Sequence, residues 1–221
     1  MEHKWNFASV FEYWDVLLIG LVGTLQLFAL TVVLGLGLGL VVGMMRYSAN
    51  PLVRWPAMTF VEVFRNTPVL VQIIWFFYAL PVVIGIEVNA FTAAALGITL
   101  NTIAFSAEVF RGGIQSLERS QWEAGKAIGM TYGQTMRRVI LPQAIKRMLP
   151  PLTSRGIEVF KMSTLASVVA YSETLNQAKL IASYEFNPIE SYTVVAILFF
   201  LILLPMVQLT YVLERRFGKS D

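Results

Sequence analysis

The chain has 221 residues, of which 56% are hydrophobic and only 14% charged, and its mean hydropathy is +0.63. A water-soluble domain carries about a quarter charged residues, so this chain cannot coat itself for water and takes the bilayer as its solvent. It has no cysteine, which excludes a disulfide framework, thiol catalysis and a cysteine-based zinc site, and one histidine, His3, too little for a metal site or a catalytic triad.

The first apolar run, Val16 to Met45, has 30 residues without a charge. It is too long for a cleaved secretory signal and reads as a retained membrane span that tilts or extends past the bilayer. Gly35, Gly39 and Gly43 recur every four residues within it, a spacing that lets a second helix backbone approach closely. Gly35-Leu-Gly37-Leu-Gly39 has the look of a dinucleotide loop, but such a loop lies between a strand and a helix, and this one lies inside an apolar run. Four further spans are expected at about 67–83, 90–109, 157–175 and 192–213, each near the 20 residues a crossing helix needs. Pro81 is expected to kink or end the second, and Trp75, Phe76, Phe77 and Tyr78 read as lipid-facing and packing residues. The fourth is unusual in containing Glu158, Lys161 and several hydroxyl residues.

Lys and Arg concentrate on the cytoplasmic side of short loops, and here they alternate. Arg46, Arg54 and Arg65 follow the first span, and Arg215, Arg216 and Lys219 follow the last. Arg111, Arg119, Lys126, Arg137, Arg138, Lys146, Arg147 and Arg155 lie between the third and fourth. The N-terminus has Lys4 alone, the loop near Glu87 has no basic residue, and the loop from Glu173 to Glu190 has Lys179 alone. This predicts five spans with the N-terminus outside and the C-terminus inside. The net charge of +3 and pI near 9.2 then reflect cytoplasmic anchoring rather than nucleic-acid binding. Gly218-Lys219-Ser220 imitates the end of a phosphate loop, but Leu213 stands where that loop needs its first glycine, so no nucleotide site is expected here.

The stretch between spans three and four is too polar to cross and too patterned for a slack linker. Ser120-Gln-Trp-Glu123 and Thr131-Tyr-Gly-Gln134 both match the capping box. They predict one helix from about Gln121 to Ile128, ended by Gly129, and a second running to Leu141 and stopping at Pro142. Ala124, Gly125 and Ala127 keep the first helix thin. A thin, rigid, cytosolic hairpin suits a groove on a partner protein.

Glu123-Ala124-Gly125-Lys-Ala-Ile-Gly129, followed by Val139-Ile-Leu141-Pro142, resembles the EAA motif of membrane subunits of binding-protein-dependent ABC importers. Gly125 stands where a second alanine is common and Val139 where isoleucine is common. Phe64-Arg65-Asn66-Thr67-Pro68-Val-Leu-Val-Gln72 and Ala107-Glu108-Val-Phe-Arg111-Gly112-Gly113-Ile114-Gln115-Ser116 are similar to the polar amino-acid uptake branch, of histidine, glutamine and glutamate type. The resemblance runs from the first span to the fifth. It implies an all-α integral membrane fold like that of type I ABC importer permeases, one transmembrane domain over 1–221 with its cytoplasmic coupling loop at about 111–155, in a bacterial cytoplasmic membrane. It also implies partners: a second permease subunit, two cytosolic ATPase subunits that bind the ATP and magnesium, and an extracytoplasmic amino-acid-binding protein. This chain would carry no cofactor and no ATPase site. Glu123, Ala124, Gly125, Gly129, Leu141 and Pro142 would couple ATP-driven closure to the spans.

Ionisable and polar groups at membrane depth are candidates for the substrate path. Glu158 and Lys161 are three apart on one helix face and either pair with each other or, with Lys161 joined by Ser163 and Thr164, meet an amino-acid carboxylate; Met162 stands where that branch often has Asp or Asn. Gln72 and Asn101 are either interhelical hydrogen-bond partners or substrate contacts. Glu108 and Arg111 are expected to anchor the loop. Two other classes stand against the importer reading. An ion-coupled carrier is often built from repeated halves, which this chain lacks, and a membrane enzyme needs a nucleophile and base or a metal cluster in its spans.

Overall fold

The computed structural model describes residues 5–217, and every regular element among them is helical. His3, Lys4 and Gly218-Lys219-Ser220 lie outside the described residues.

A short helix α1 (Ala8–Glu12) leads into α2 (Trp14–Tyr47), whose 34 residues extend about 51 Å at 1.5 Å per residue, well beyond a hydrocarbon core of about 30 Å. Asp15 in its first turn and Arg46 in its last complement the helix dipole. Apart from Thr24, its buried positions, Leu17, Gly20, Gly23, Leu27, Thr31, Gly35, Gly39 and Gly43, step by three or four residues along one face. The lower half of that face lies against α6 (Ala90–Gln115). A Cβ on Gly39 would stand 2.6 Å from the Ser106 Cβ, and one on Gly43 would stand 2.8 Å from the Ala107 carbonyl oxygen. The expected small-residue packing face is thus present, and Gly20 and Gly23 extend it further than the sequence pattern indicated. They lie under the backbone of Ser172 to Thr174, where the Thr24 and Thr174 hydroxyls are 2.8 Å apart.

The expected second span at 67–83 is a correction. Pro51 opens α3 (Pro51–Asn66), capped by the Asn50 side chain, which accepts from the Leu52 N–H at 3.0 Å. The helix ends at Thr67 because a residue before proline is pushed into extended backbone, and Thr67 has φ −100°, ψ 132°. After Pro68 come α4 (Val69–Ile74), a π turn over Trp75–Ala79 and α5 (Leu80–Ile84), ended by Gly85 in the left-handed conformation at φ 70°. The two halves, Pro51–Asn66 and Val69–Ile84, meet at 101°. Pro81 does not end its helix: the π turn before it widens the hydrogen-bond ladder where proline supplies no N–H.

α6 is capped by Asn89, whose side chain accepts from the Thr92 N–H at 2.8 Å, and it covers the expected third span. The hairpin that follows consists of α7 (Arg119–Ala127) and α8 (Tyr132–Thr135). A second π turn, Met136–Ile140, leads directly into α9 (Leu141–Met162). The expected fourth span at 157–175 is therefore another correction. α9 ends at Met162, a 3-10 stretch runs over Ser163–Val169, and the chain turns through Ala170 at φ 56° into α10 (Thr174–Glu185). The hydroxyls of Ser163 and Thr164 bond back to the carbonyls of Phe160 (2.7 Å) and Lys161 (2.8 Å), in competition with the helical ladder. The Glu173 carboxylate caps α10 by accepting from the Leu175 and Asn176 N–H groups. α11 (Pro188–Phe217) covers the expected fifth span.

Among the described residues, α2, α6 and α11 are long and apolar enough to cross a bilayer alone, and the α3–α5 run, bent by 101°, has the length and composition of a fourth span only if its two halves count as one. The expected span at 157–175, through the end of α9 and the start of α10, is not a continuous apolar helix. It nevertheless carries the chain from the core of Ile114, Leu117, Ile140, Ala144 and Met148, beside the hairpin, to the core of Val10, Leu17, Ile181 and Val194 at the other end.

Candidate functional site

Leu117, buried in the core beside the hairpin, fixes the entry to α7. The capping box expected at Ser120 is absent: the helix starts two residues earlier, at Arg119, and the Ser120 hydroxyl instead bonds the Glu118 carboxylate at 2.8 Å. Glu123 forms an exposed pair with Arg119 at 3.4 Å. The C-terminus of α7 is as the sequence indicates. Gly129 has φ 79°; its N–H donates to the Lys126 carbonyl, and the Met130 N–H donates to the Gly125 carbonyl, both at 3.0 Å. That pair of bonds is the Schellman motif. The second capping box is present, with Thr131 and Gln134 bonding each other's backbone N–H groups.

Gly125 is buried where α7 crosses α8: a Cβ there would lie 2.7 Å from both Thr135 Cγ2 and Thr135 Oγ1. Trp122 stacks on Tyr132, ring centroids 5.2 Å apart, and reaches the core below. The outer face is left bare. Glu123, Ala124 and Gly129 are exposed, and Ile128 is 77% exposed at the tip. Of the coupling candidates, Glu123, Ala124 and Gly129 thus offer surface, and Gly125 holds the hairpin closed. Leu141 and Pro142 were expected to terminate the second helix and instead lie, exposed, within a helical run over 132–162. The correction has a physical reason. Pro142 removes one ladder bond, and the π turn just before it accommodates that loss without a break.

The path candidates fall into two groups. Gln72 and Asn101 are buried and converge on the bend between α3 and α4. The Gln72 side chain donates to the carbonyls of Phe64 (3.0 Å) and Thr67 (2.9 Å), and Asn101 donates to the same Phe64 carbonyl at 2.9 Å. They satisfy the backbone that Pro68 frees. Beside them is an apolar cavity of about 280 Å³ bordered by Phe64, Thr67, Gln72, Trp75 and Phe76. Glu158 and Lys161 do not pair; both are exposed, and Glu158 accepts instead from Arg155 at 2.8 Å. Ser163 is buried and Thr164 half-buried, with hydroxyls engaged by their own helix.

Arg155 is the residue that the sequence reading misplaced, counting it among loop charges. It is 4% exposed, donates to Asn101 Oδ1 at 2.6 Å and lies over the Phe105 ring at 4.4 Å. One chain of bonds therefore runs from α9 through Arg155 and Asn101 to the Phe64 carbonyl at the bend. Its sequence signal was the i,i+3 spacing to Glu158 on a helix face. Glu108 binds Arg46, Arg65 and Arg111, tying the ends of α2, α3 and α6 together as a loop anchor should.

Residues 35–219 match the family model described as the binding-protein-dependent transport system inner membrane component. The chain belongs to that family. Over 217 residues this permease is 34% identical to a probable amino-acid ABC transporter permease protein, YckA, of Bacillus subtilis strain 168, covering 98% of this chain and 96% of that one. It is 33% identical to the glutamine transport system permease protein GlnP of Escherichia coli K12, covering 98% of each. A crystal structure of an amino acid ABC transporter with histidines superposes with a TM-score of 0.91 at 34% identity, over 97% of this chain and 100% of the other. The permease is an all-helical membrane subunit of the type I ABC importer class.

Proposed function

We propose that this permease moves a polar amino acid across the bacterial cytoplasmic membrane, receiving it from an extracytoplasmic binding protein and driven by ATP hydrolysed on two separate cytosolic ATPase subunits. The supporting observation is the unbroken helical run over 132–162, which joins the exposed hairpin to the helix bearing Arg155. A rigid rod of that kind transmits a displacement that a flexible loop would absorb. The hairpin lies on the cytoplasmic side, with the N-terminus outside and the C-terminus inside, as the basic residues indicate. Glu123, Ala124, Ile128 and Gly129 meet the ATPase; Gly125 holds the hairpin closed against Thr135, and Leu141 and Pro142 lie within the rod that carries its movement. Two permease subunits, alike or related, enclose the path, to which the cavity beside Gln72 belongs. ATP and magnesium stay on the ATPase subunits, and this chain supplies no nucleotide site.

The test is reconstitution in liposomes with the cognate ATPase and binding protein. Uptake of labelled amino acid requires hydrolysable ATP, and Gly129→Asp, which burdens the hairpin tip with a charge, abolishes it while membrane insertion stays normal. Uptake by the permease alone, with no ATPase present, refutes the proposal.

A further inference from the structure

The end of the bundle nearest the hairpin carries a cavity of about 260 Å³ lined, apart from Met58, by polar and basic residues: Arg46, Tyr47, Ser48, Arg54, Arg111 and Gln115. It lies where the last turn of α2 meets the first turns of α3 and the last turn of α6. Its volume is several times the roughly 30 Å³ share of one water. Glu108 is bound to Arg46 and Arg111, and Glu62 lies 3.8 Å from Arg46. Arg54 is exposed and makes no ion pair among the described residues. With Arg65 included, four guanidinium groups face two carboxylates, so the cluster keeps an excess of positive charge. Each guanidinium has five N–H donors in a planar fork, and Arg46 and Arg111 keep donors after binding Glu108.

What flanks the cavity indicates its occupant. Leu52 is 84% and Trp55 62% exposed on the same turn as Arg54. Bare leucine and tryptophan beside arginine at the end of a membrane helix describe the headgroup level, where aromatic rings and basic side chains sit together. Basic pockets between transmembrane helices on that face hold anionic headgroups. We infer that this cavity binds the phosphate of an anionic phospholipid, with the Arg54 fork and the Ser48 and Tyr47 hydroxyls as donors and Leu52 and Trp55 against the acyl chains. The lipid would tie together the ends of α2, α3 and α6, the same three helices that Glu108 joins from inside.

The full chain in neutral detergent, alone and in complex with its ATPase subunits, is titrated with phosphatidylglycerol, with phosphatidylcholine and with inorganic phosphate, and bound lipid and bound subunits are read by native mass spectrometry. Phosphatidylglycerol is expected to be retained over phosphatidylcholine, and inorganic phosphate does not displace it. Arg54→Gln weakens phosphatidylglycerol about fivefold, Arg54→Lys keeps most of the binding, and Arg215→Gln in the last turn of α11 changes it much less. Arg54 makes no ion pair with Glu108 or any other carboxylate among the described residues, so its replacement leaves the Glu108 cluster intact. Four results would overturn the inference: equal retention of the two lipids, displacement by inorganic phosphate, which makes this a soluble-anion site, equal losses at Arg54 and Arg215, which make it diffuse surface attraction, or loss of the ATPase subunits in Arg54→Gln with lipid retention unchanged, which makes it a protein contact.

Discussion

Gly125→Ala isolates the contact that closes the coupling hairpin. Alanine is the better helix former by about 0.8–1 kcal/mol, so in open space the change would stabilise α7. Here the new methyl would meet Thr135 Cγ2 and Oγ1 at 2.7 Å, closer than ordinary contact, and Thr135 has little room to retreat: it is 2% exposed, and its hydroxyl donates to the Thr131 carbonyl at 3.1 Å. Overpacking of this kind costs about 1–3 kcal/mol, so the net effect is a loss of up to about 2 kcal/mol within the hairpin. Thr135→Ala removes both offending atoms and leaves Thr135 Cβ, 3.3 Å from the added methyl, which a small shift relieves. In that background Gly125→Ala should turn stabilising. The assay is a double-mutant cycle on the reconstituted transporter, reading thermal unfolding of the permease and ATPase stimulation by loaded binding protein. The sign of the Gly125→Ala effect should reverse between the two backgrounds. An equal penalty in both would mean that Thr135 is not what excludes a side chain, and the packing argument for Gly125 would fail.

Two further expectations concern the membrane interior. Gly39→Val should force α2 from α6, because even a Cβ there lies 2.6 Å from Ser106, and should lower the detergent unfolding temperature; Gly37→Ala, with nothing within 4 Å of its Cβ, should be neutral or mildly stabilising. Equal effects would refute the packing face. Arg155→Met strands the Asn101 oxygen, at a cost of about 1–3 kcal/mol, and should lower the amino acid moved per ATP hydrolysed more than it lowers hydrolysis itself. Arg155→Lys should not restore the ratio, since a lysine cannot fork between Asn101 and Glu158; full rescue by lysine would show that charge alone matters.

The straight parts of the fold were legible because a bilayer imposes a simple requirement: α2, α6 and α11 each appear as a long apolar run. The broken parts were not. Pro68 was in plain view, but the apolar residues after it outweighed it, and the helical character of 51–66 was masked by Arg54, Glu62 and Arg65, which leave by one end of the bundle. Pro142 reads as a stop because proline ordinarily ends a helix, and a π turn leaves no compositional trace. Arg155 looked like one more loop charge because summed charge carries no information on burial, and its partner Asn101 is 54 residues away. The hairpin was legible in detail at Gly129 and Thr131, where local hydrogen bonds decide the geometry, and misread at Ser120, where tertiary anchoring of Leu117 sets the helix start.

The π turn at 136–140 also fixes an azimuth. From the end of the π turn into α9 the buried positions Ile140, Ala144 and Met148 are four apart, and Arg155 and Val159 continue on that side, whereas Thr135 is five residues before Ile140. The extra residue rotates the hairpin by about 100° relative to an uninterrupted α-helix, which keeps Thr135 turned towards Gly125 while Arg155 stays turned towards Asn101. The hairpin and the membrane helix are keyed together like two gears on one shaft, and dropping a single residue at the joint would leave both intact yet aim the docking face at the wrong quarter.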